Sequence, residues 1–143
     1  MFVCTGNTCR SPMAEYILKD LLKKSGVEDI KVSSAGLSCE EEGINPKAKA
    51  ALKNLGITVR RYKTHTATAD LCRKQNAVIC MTEAHKNRFV GFDNVYTINE
   101  LTGSGDIPDP YGLEQTAYDE CAKALLSACT KIKDLLTREA KTE

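Results

Sequence analysis

CTGNTCRSP, Cys4 to Pro12, follows the apolar residues Met1, Phe2 and Val3 at the head of a 143-residue chain. An apolar run that breaks into Gly, Asn, Arg, Ser and Pro changes its structure abruptly. Gly6 frees the backbone, Asn7 tolerates a left-handed turn, and Pro12 suits the first turn of a helix. The segment that follows, PMAEYILKDLLKK from Pro12 to Lys24, carries Met13, Ile17, Leu18, Leu21 and Leu22 at helical spacing, and Ser25-Gly26 stops it. Strand, loop and helix in that order are the opening of a parallel α/β unit.

Outward from this unit the same alternation continues. Ile30 to Gly36 reads as a second strand, Pro46 to Gly56 as a helix with proline at its start and glycine after its end. Thr66 to Gln75 reads as a short helix, Asn76 to Thr82 as a buried strand, Glu83 to Gly91 as a helix and Asn94 to Leu101 as a fourth strand. After the turn-rich TGSGDIPDPYG, a long amphipathic helix from Leu113 to about Arg138 puts Ala117, Cys121, Ala124, Leu125, Ala128, Ile132 and Leu135 on one stripe. The expected fold is α/β: a single-domain, four-stranded parallel sheet with helices on both faces, spanning 1–143, with no internal repeat or linker. Such sheets bind ligands beyond the carboxyl ends of their strands, where Cys4 to Ser11 lies.

Composition removes several classes of function. The 20 Lys and Arg against 19 Asp and Glu leave no basic excess for nucleic acid or an acidic membrane surface. No apolar run has the length of a membrane span, and no signal peptide opens the chain, so a cytoplasmic protein is expected. Seven cysteines, at 4, 9, 39, 72, 80, 121 and 129, are an odd number without a C-x2-C pair, and His65 and His85 are the only histidines. Neither a disulfide framework nor a structural metal site fits that pattern. Cys121 and Cys129 lie on the apolar side of the last helix, as small hydrophobes.

Within the opening loop, Cys4 and Arg10 are separated by five residues. Thr5, Gly6, Asn7, Thr8 and Cys9 can curl so that their backbone N–H groups encircle an anion, and the following helix adds its positive end. Arg10 suits bidentate contact with phosphate oxygens. These donors also favour the thiolate of Cys4, a nucleophile held against the anion. Ser11 is placed either to donate to that sulfur or to cap the helix, and the two roles are compatible. For Thr5 and Thr8, solvation of the loop is the alternative.

FVCTGNTCRSPMAE resembles the opening of the low-molecular-weight protein-tyrosine-phosphatase family, whose mark is C-x5-R-[ST] at the head of a small α/β domain. Asp109-Pro110-Tyr111 matches the family's late Asp-Pro pair, and Ser33 to Gly36, Gly56-Ile57 and His65 extend the likeness nearly end to end. The resemblance implies Cys4 as nucleophile, Arg10 as phosphate clamp, Ser11 as the partner of the sulfur and Asp109 as general acid. It also implies Tyr111 as a pocket wall, and Asn7, Ser34 and His65 as a brace behind the loop. Cys9 resembles the family's second loop cysteine, which pairs reversibly with the first under oxidation. The implied reaction uses a phosphocysteine intermediate, no metal and no cofactor, on a phosphorylated protein substrate, by a monomer.

The chain also departs from the family. Its first strand is two or three residues shorter than usual, Thr68 replaces an arginine, and only one tyrosine follows Asp-Pro. Thr8 stands where phosphotyrosine enzymes commonly carry Ile or Leu, and CTGNTCRSP resembles the bacterial protein-arginine-phosphatase branch. A polar side chain suits a guanidinium better than an aromatic ring, so phosphoarginine is favoured over phosphotyrosine. Arsenate reduction relayed through Cys72 or Cys80, and a cysteine phosphocarrier, are the alternatives on the same scaffold. Asp106 reads as a solvated turn residue. Glu40, Glu41 and Glu42 are either a solvated run or a border of the pocket.

Overall fold

The structure is a computed structural model and describes residues 1–142; Glu143, the last residue of the domain expected over 1–143, lies outside the described residues. Elements follow in the order β1 (Phe2–Cys4), α1 (Arg10–Lys24), β2 (Ser34–Gly36), α2 (Pro46–Asn54), α3 (Ala69–Arg73), β3 (Val78–Cys80), α4 (Glu83–Lys86), β4 (Val95–Thr97), α5 (Ile98–Thr102) and α6 (Gln115–Thr142). The strands form a four-stranded sheet in the order β2-β1-β3-β4, with every neighbouring pair parallel. This is the expected α/β architecture.

Alternation along the strands divides the interior in two. Phe2, Cys4 and Ile79 face a core shared with α1, α2, α5 and α6, containing Met13, Ile17, Leu52, Ile98 and Leu125. Val3, Val78, Cys80 and Val95 face the opposite side, where Cys72 of α3 and Phe89 after α4 cover them. Helices therefore lie on both faces. Among the described residues no helix is long and apolar enough to cross a membrane.

The strands are shorter than the sequence suggests. β2 takes only Ser34–Gly36 of the expected Ile30 to Gly36, because its partner β1 offers three residues, in the register Phe2 to Ser34 and Cys4 to Gly36. Ile30 and Val32 pack against the first core instead. The expected fourth strand, Asn94 to Leu101, stops at Thr97 and turns into α5. Thr97 Oγ1 accepts from Glu100 N at 2.9 Å while Glu100 Oε1 accepts from Thr97 N at 3.2 Å. This reciprocal capping box starts a helix where the apolar alternation suggested a strand.

The helices also differ at their ends: α2 stops at Asn54 before the expected Gly56, α3 covers only Ala69–Arg73 of Thr66 to Gln75, and α4 only Glu83–Lys86 of Glu83 to Gly91. α1 begins at Arg10 rather than Pro12, and α6 at Gln115 rather than Leu113. On α6 the buried stripe is Tyr118, Cys121, Ala122, Leu125, Ala128, Cys129 and Ile132, whereas Ala124 and Leu135 are exposed. The stripe is rotated toward Tyr118, the largest fully buried side chain of the core.

Candidate active site

The loop from Cys4 to Arg10 leaves the end of β1 and enters α1 directly. Its carbonyls are engaged from behind: Leu37 N donates to Cys4 O at 3.1 Å, Ser38 N to Thr5 O at 2.8 Å and Asn45 N to Thr8 O at 2.9 Å. In a trans peptide the carbonyl and the next N–H point in opposite directions, so the N–H groups of Thr5, Gly6 and Cys9 are turned away from these partners. Asn7, at φ 56°, supplies the left-handed residue that closes the curl. The result is a ring of donors at the start of a 15-residue helix, the geometry of an anion cradle. Gly36 makes the close packing behind it possible. A Cβ at this residue lies 2.8 Å from Asn7 N, Thr5 O and Cys39 Sγ.

Cys4 is buried at the bottom of the curl, its Sγ 3.0 Å from Ser11 Oγ and 3.5 Å from the Ser11 backbone N–H. The surrounding bonds fix the direction of the protons. Asn7 Nδ2 donates to Ser11 Oγ at 2.8 Å and to Ser34 Oγ at 3.0 Å. Ser34 donates to the carboxylate of Glu15 at 2.7 Å, so Tyr62, 2.6 Å away, donates to Ser34. Burial above all, with Glu15 nearby, pushes the Tyr62 hydroxyl up and keeps it a donor. Ser11 accepts from Asn7, and its own hydrogen has two acceptors, the Cys4 sulfur at 3.0 Å and the longer contact to Ala35 O at 3.4 Å.

Asn7 and Ser34 lie behind the loop, with Asn7 bonded to both Ser11 and Ser34, whereas His65 meets Asn7 through its main chain. Its backbone N–H donates to Asn7 Oδ1 at 3.0 Å and its carbonyl accepts from Gly36 N at 2.8 Å, while the side chain is exposed. The brace at position 65 is main chain, not imidazole. Glu15 and Tyr62 were not singled out in the sequence. For Glu15 there was a signal: a carboxylate on the row Ser11, Glu15, Leu18 and Leu22 of α1 lies on the buried face.

Arg10 is buried at the lip of the curl. It donates from Nη1 to Ile107 O at 3.0 Å and from Nη2 to Thr5 Oγ1 at 3.5 Å, and Nη2 is 3.6 Å from Asp109 Oδ2. Ile107, itself bonded through its N–H to Met81 O, ties the Asp109 loop to the end of β3. Asp109 is half exposed, and its Oδ1 accepts from Tyr111 N at 3.1 Å. Asp106 is not merely solvated: its Oδ1 accepts from Glu83 N, the first residue of α4. His85, buried beside this group, has Nε2 3.0 Å from Thr5 Oγ1 and Nδ1 3.0 Å from Thr82 Oγ1. Burial first, and the Arg10 charge second, lower its pKa from 6.5 to about 4.

These residues surround a cavity of about 230 Å³ lined by Cys4, Thr5, Gly6, Thr8, Cys9, Arg10, Ser38, Glu40, Glu41, Asp109 and Tyr111. Two of the three acidic residues border it, and Tyr111 donates to Glu41 Oε1 at 2.8 Å across its mouth. Glu42 turns away to accept from Thr64 N. Cys9 is buried, with Sγ 3.7 Å from Tyr118 Oη, and burial pushes its thiol up. Cys72 and Cys80 belong to the core on the other face of the sheet, and burial raises Cys80 to about 12. Neither is brought to Cys4. Among the described residues no three His, Cys, Asp or Glu side chains are grouped to hold a metal ion.

The sequence profile of the low molecular weight phosphotyrosine protein phosphatase family matches residues 1–142. The protein-arginine-phosphatase of Bacillus subtilis (strain 168) is similar at 38% identity over 145 residues, covering 93% of this chain and 95% of its own. The low molecular weight protein-tyrosine-phosphatase PtpB of Staphylococcus haemolyticus (strain JCSC1435) is similar at 32% identity, covering 92% and 95%. Among solved structures, a Cys-to-Ser mutant of YwlE arginine phosphatase with a phosphorylated active-site serine superposes with a TM-score of 0.89 at 32% identity, covering 99% of this chain and 97% of that one.

Proposed function

The chain belongs to the low molecular weight phosphotyrosine protein phosphatase family, and on that premise we propose that it hydrolyses phosphorylated protein side chains, phosphoarginine in preference to phosphotyrosine. The phosphoryl group sits in the Cys4 to Arg10 curl, held by the loop N–H groups and the Arg10 guanidinium. Cys4 sulfur attacks phosphorus as the bond to the side-chain nitrogen or oxygen breaks, and Asp109 gives its proton to the leaving atom. Water then attacks the phosphocysteine while Asp109 takes up a proton, and Ser11 donates to the departing sulfur. Charge stabilisation rests on Arg10 and the backbone donors, so turnover persists in a chelator. We take 1–143 as one phosphatase domain, monomeric and cytoplasmic.

The observation that carries the choice of substrate is the cavity wall. Thr8, buried on that wall with its hydroxyl 3.7 Å from Cys9 Sγ, is a polar side chain in place of an aliphatic one, and Glu40, Glu41 and Asp109 place carboxylates around the same space. A guanidinium gains from those groups and an aromatic ring does not. The similarity to an arginine phosphatase supports the same reading. Cys9, buried on the cavity wall, is assigned as the partner of Cys4 under oxidation.

The test is turnover of phosphoarginine and phosphotyrosine peptides side by side. Wild type prefers phosphoarginine, and Thr8→Ile moves the ratio of kcat/KM about tenfold toward phosphotyrosine. Equal ratios in the two proteins reject the preference. With a chromogenic aryl phosphate, Cys4→Ser is inactive and Asp109→Ala loses roughly 10²–10⁴ in kcat. Activity retained by Cys4→Ser rejects the mechanism.

A further inference from the structure

His85 has no part in the reaction just described, yet it is buried against the loop, which it reaches through Nε2 at Thr5, while Nδ1 is paired with Thr82. We propose that His85, carrying its hydrogen on Nε2, is a positioning residue that turns the Thr5 hydroxyl into the cavity as a donor to the bound phosphoryl group, beside Arg10; this rests on the phosphatase reading above. Burial holds the ring neutral, so it has one hydrogen to place.

The assignment follows from counting donors. Thr82 Oγ1 caps α4 by accepting the His85 backbone N–H at 3.2 Å and stands 3.0 Å from Nδ1 of the same residue. If Thr82 turns its hydroxyl hydrogen onto Nδ1, it donates once and accepts once, and the ring hydrogen is left on Nε2. Nε2–H then donates to Thr5 Oγ1 at 3.0 Å, which also receives Arg10 Nη2 at 3.5 Å. Both lone pairs of Thr5 are occupied by donors. Its own hydrogen is left for the cavity that Thr5 lines.

The opposite arrangement puts two His85 hydrogens on Thr82 and spends the Thr5 hydrogen on Nε2. A phosphoryl oxygen beside Thr5 then faces a lone pair instead of a donor. Binding of an anion selects the first arrangement, because it alone adds a hydrogen bond to the charged species. Thr5, read from the sequence as a phosphate-binding residue through its backbone N–H, thereby adds its side chain as a second donor, whose aim is set from outside the loop.

Two measurements test this on the full chain. In the protein saturated with inorganic phosphate, ¹⁵N spectra of the imidazole are expected to show the hydrogen on Nε2; a hydrogen on Nδ1 overturns the proposal. As an inhibitor of aryl phosphate turnover, inorganic phosphate is expected to bind about tenfold more weakly to Thr5→Val and His85→Leu, whereas His85→Gln, whose amide N–H replaces Nε2–H, stays within about threefold of wild type. Wild-type affinity in Thr5→Val, an exposed position, overturns it even if His85→Leu does not fold. In that case wild-type turnover leaves the phosphatase reading intact; a wild type without turnover removes both.

Discussion

A methyl group at residue 36 meets the backbone of the Cys4–Arg10 loop at 2.8 Å on two sides and Cys39 on a third. Two of those neighbours are main-chain atoms, so relief requires the loop itself to move. Gly36→Ala is therefore expected to cost about 1–3 kcal/mol of stability by overpacking and to depress kcat/KM further than that loss explains, since the displaced atoms belong to Thr5 and Asn7. Denaturation and steady-state kinetics on one preparation decide it; full activity in the variant means the loop tolerates displacement. The loop was the most legible part of this site, because Cys4, Asn7, Arg10 and Ser11 act within one turn of chain and their spacing carries their geometry. Tyr62 and His85 were illegible as partners because distant segments bring them in, the coil after α2 and the helix α4, while Glu15 lay on the buried row of α1 without showing which groups it meets. His65 shows a further limit: sequence displays a side chain, whereas the fold uses its main-chain N–H and carbonyl at that position.

Elements were legible in kind and order but not in extent. Each strand pairs over three residues, and apolar residues beyond them, such as Ile30 and Val32, satisfy the same pattern by packing on the core. The replacement of a long fourth strand by β4 and α5 turns on Thr97 and Glu100, whose T-x-x-E spacing was in the sequence but competed with the alternation of Val95, Thr97 and Leu101. The cap wins because α5 buries Ile98 completely. Thr97→Ala removes the acceptor of the Glu100 N–H and is expected to lower stability by about 1 kcal/mol, with kcat on an aryl phosphate unchanged. A urea titration reads the first and an initial-rate assay the second; an unaltered midpoint denies the box any energetic role.

At the scale of the whole molecule, the buried imidazole couples folding to pH. His85 binds its proton with a pKa lowered to about 4 in the folded chain, against 6.5 ordinarily, so between these values the unfolded chain holds more protons. Its contribution to stability is full above about pH 6.5 and declines as pH falls toward 4. Wild type is expected to lose more of its urea midpoint between pH 7.5 and 4.5 than His85→Gln, in which the carboxylates still titrate but this group does not. Equal losses contradict the assignment. The same connection between sheet and site gives the molecule a built-in reporter. The amides of Leu37 and Ser38 are held by the carbonyls of Cys4 and Thr5, so each exchanges its hydrogen with solvent only when the loop detaches from the strand behind it. Their protection against deuterium, measured on the resting protein, counts how often the cradle comes apart before any phosphate arrives.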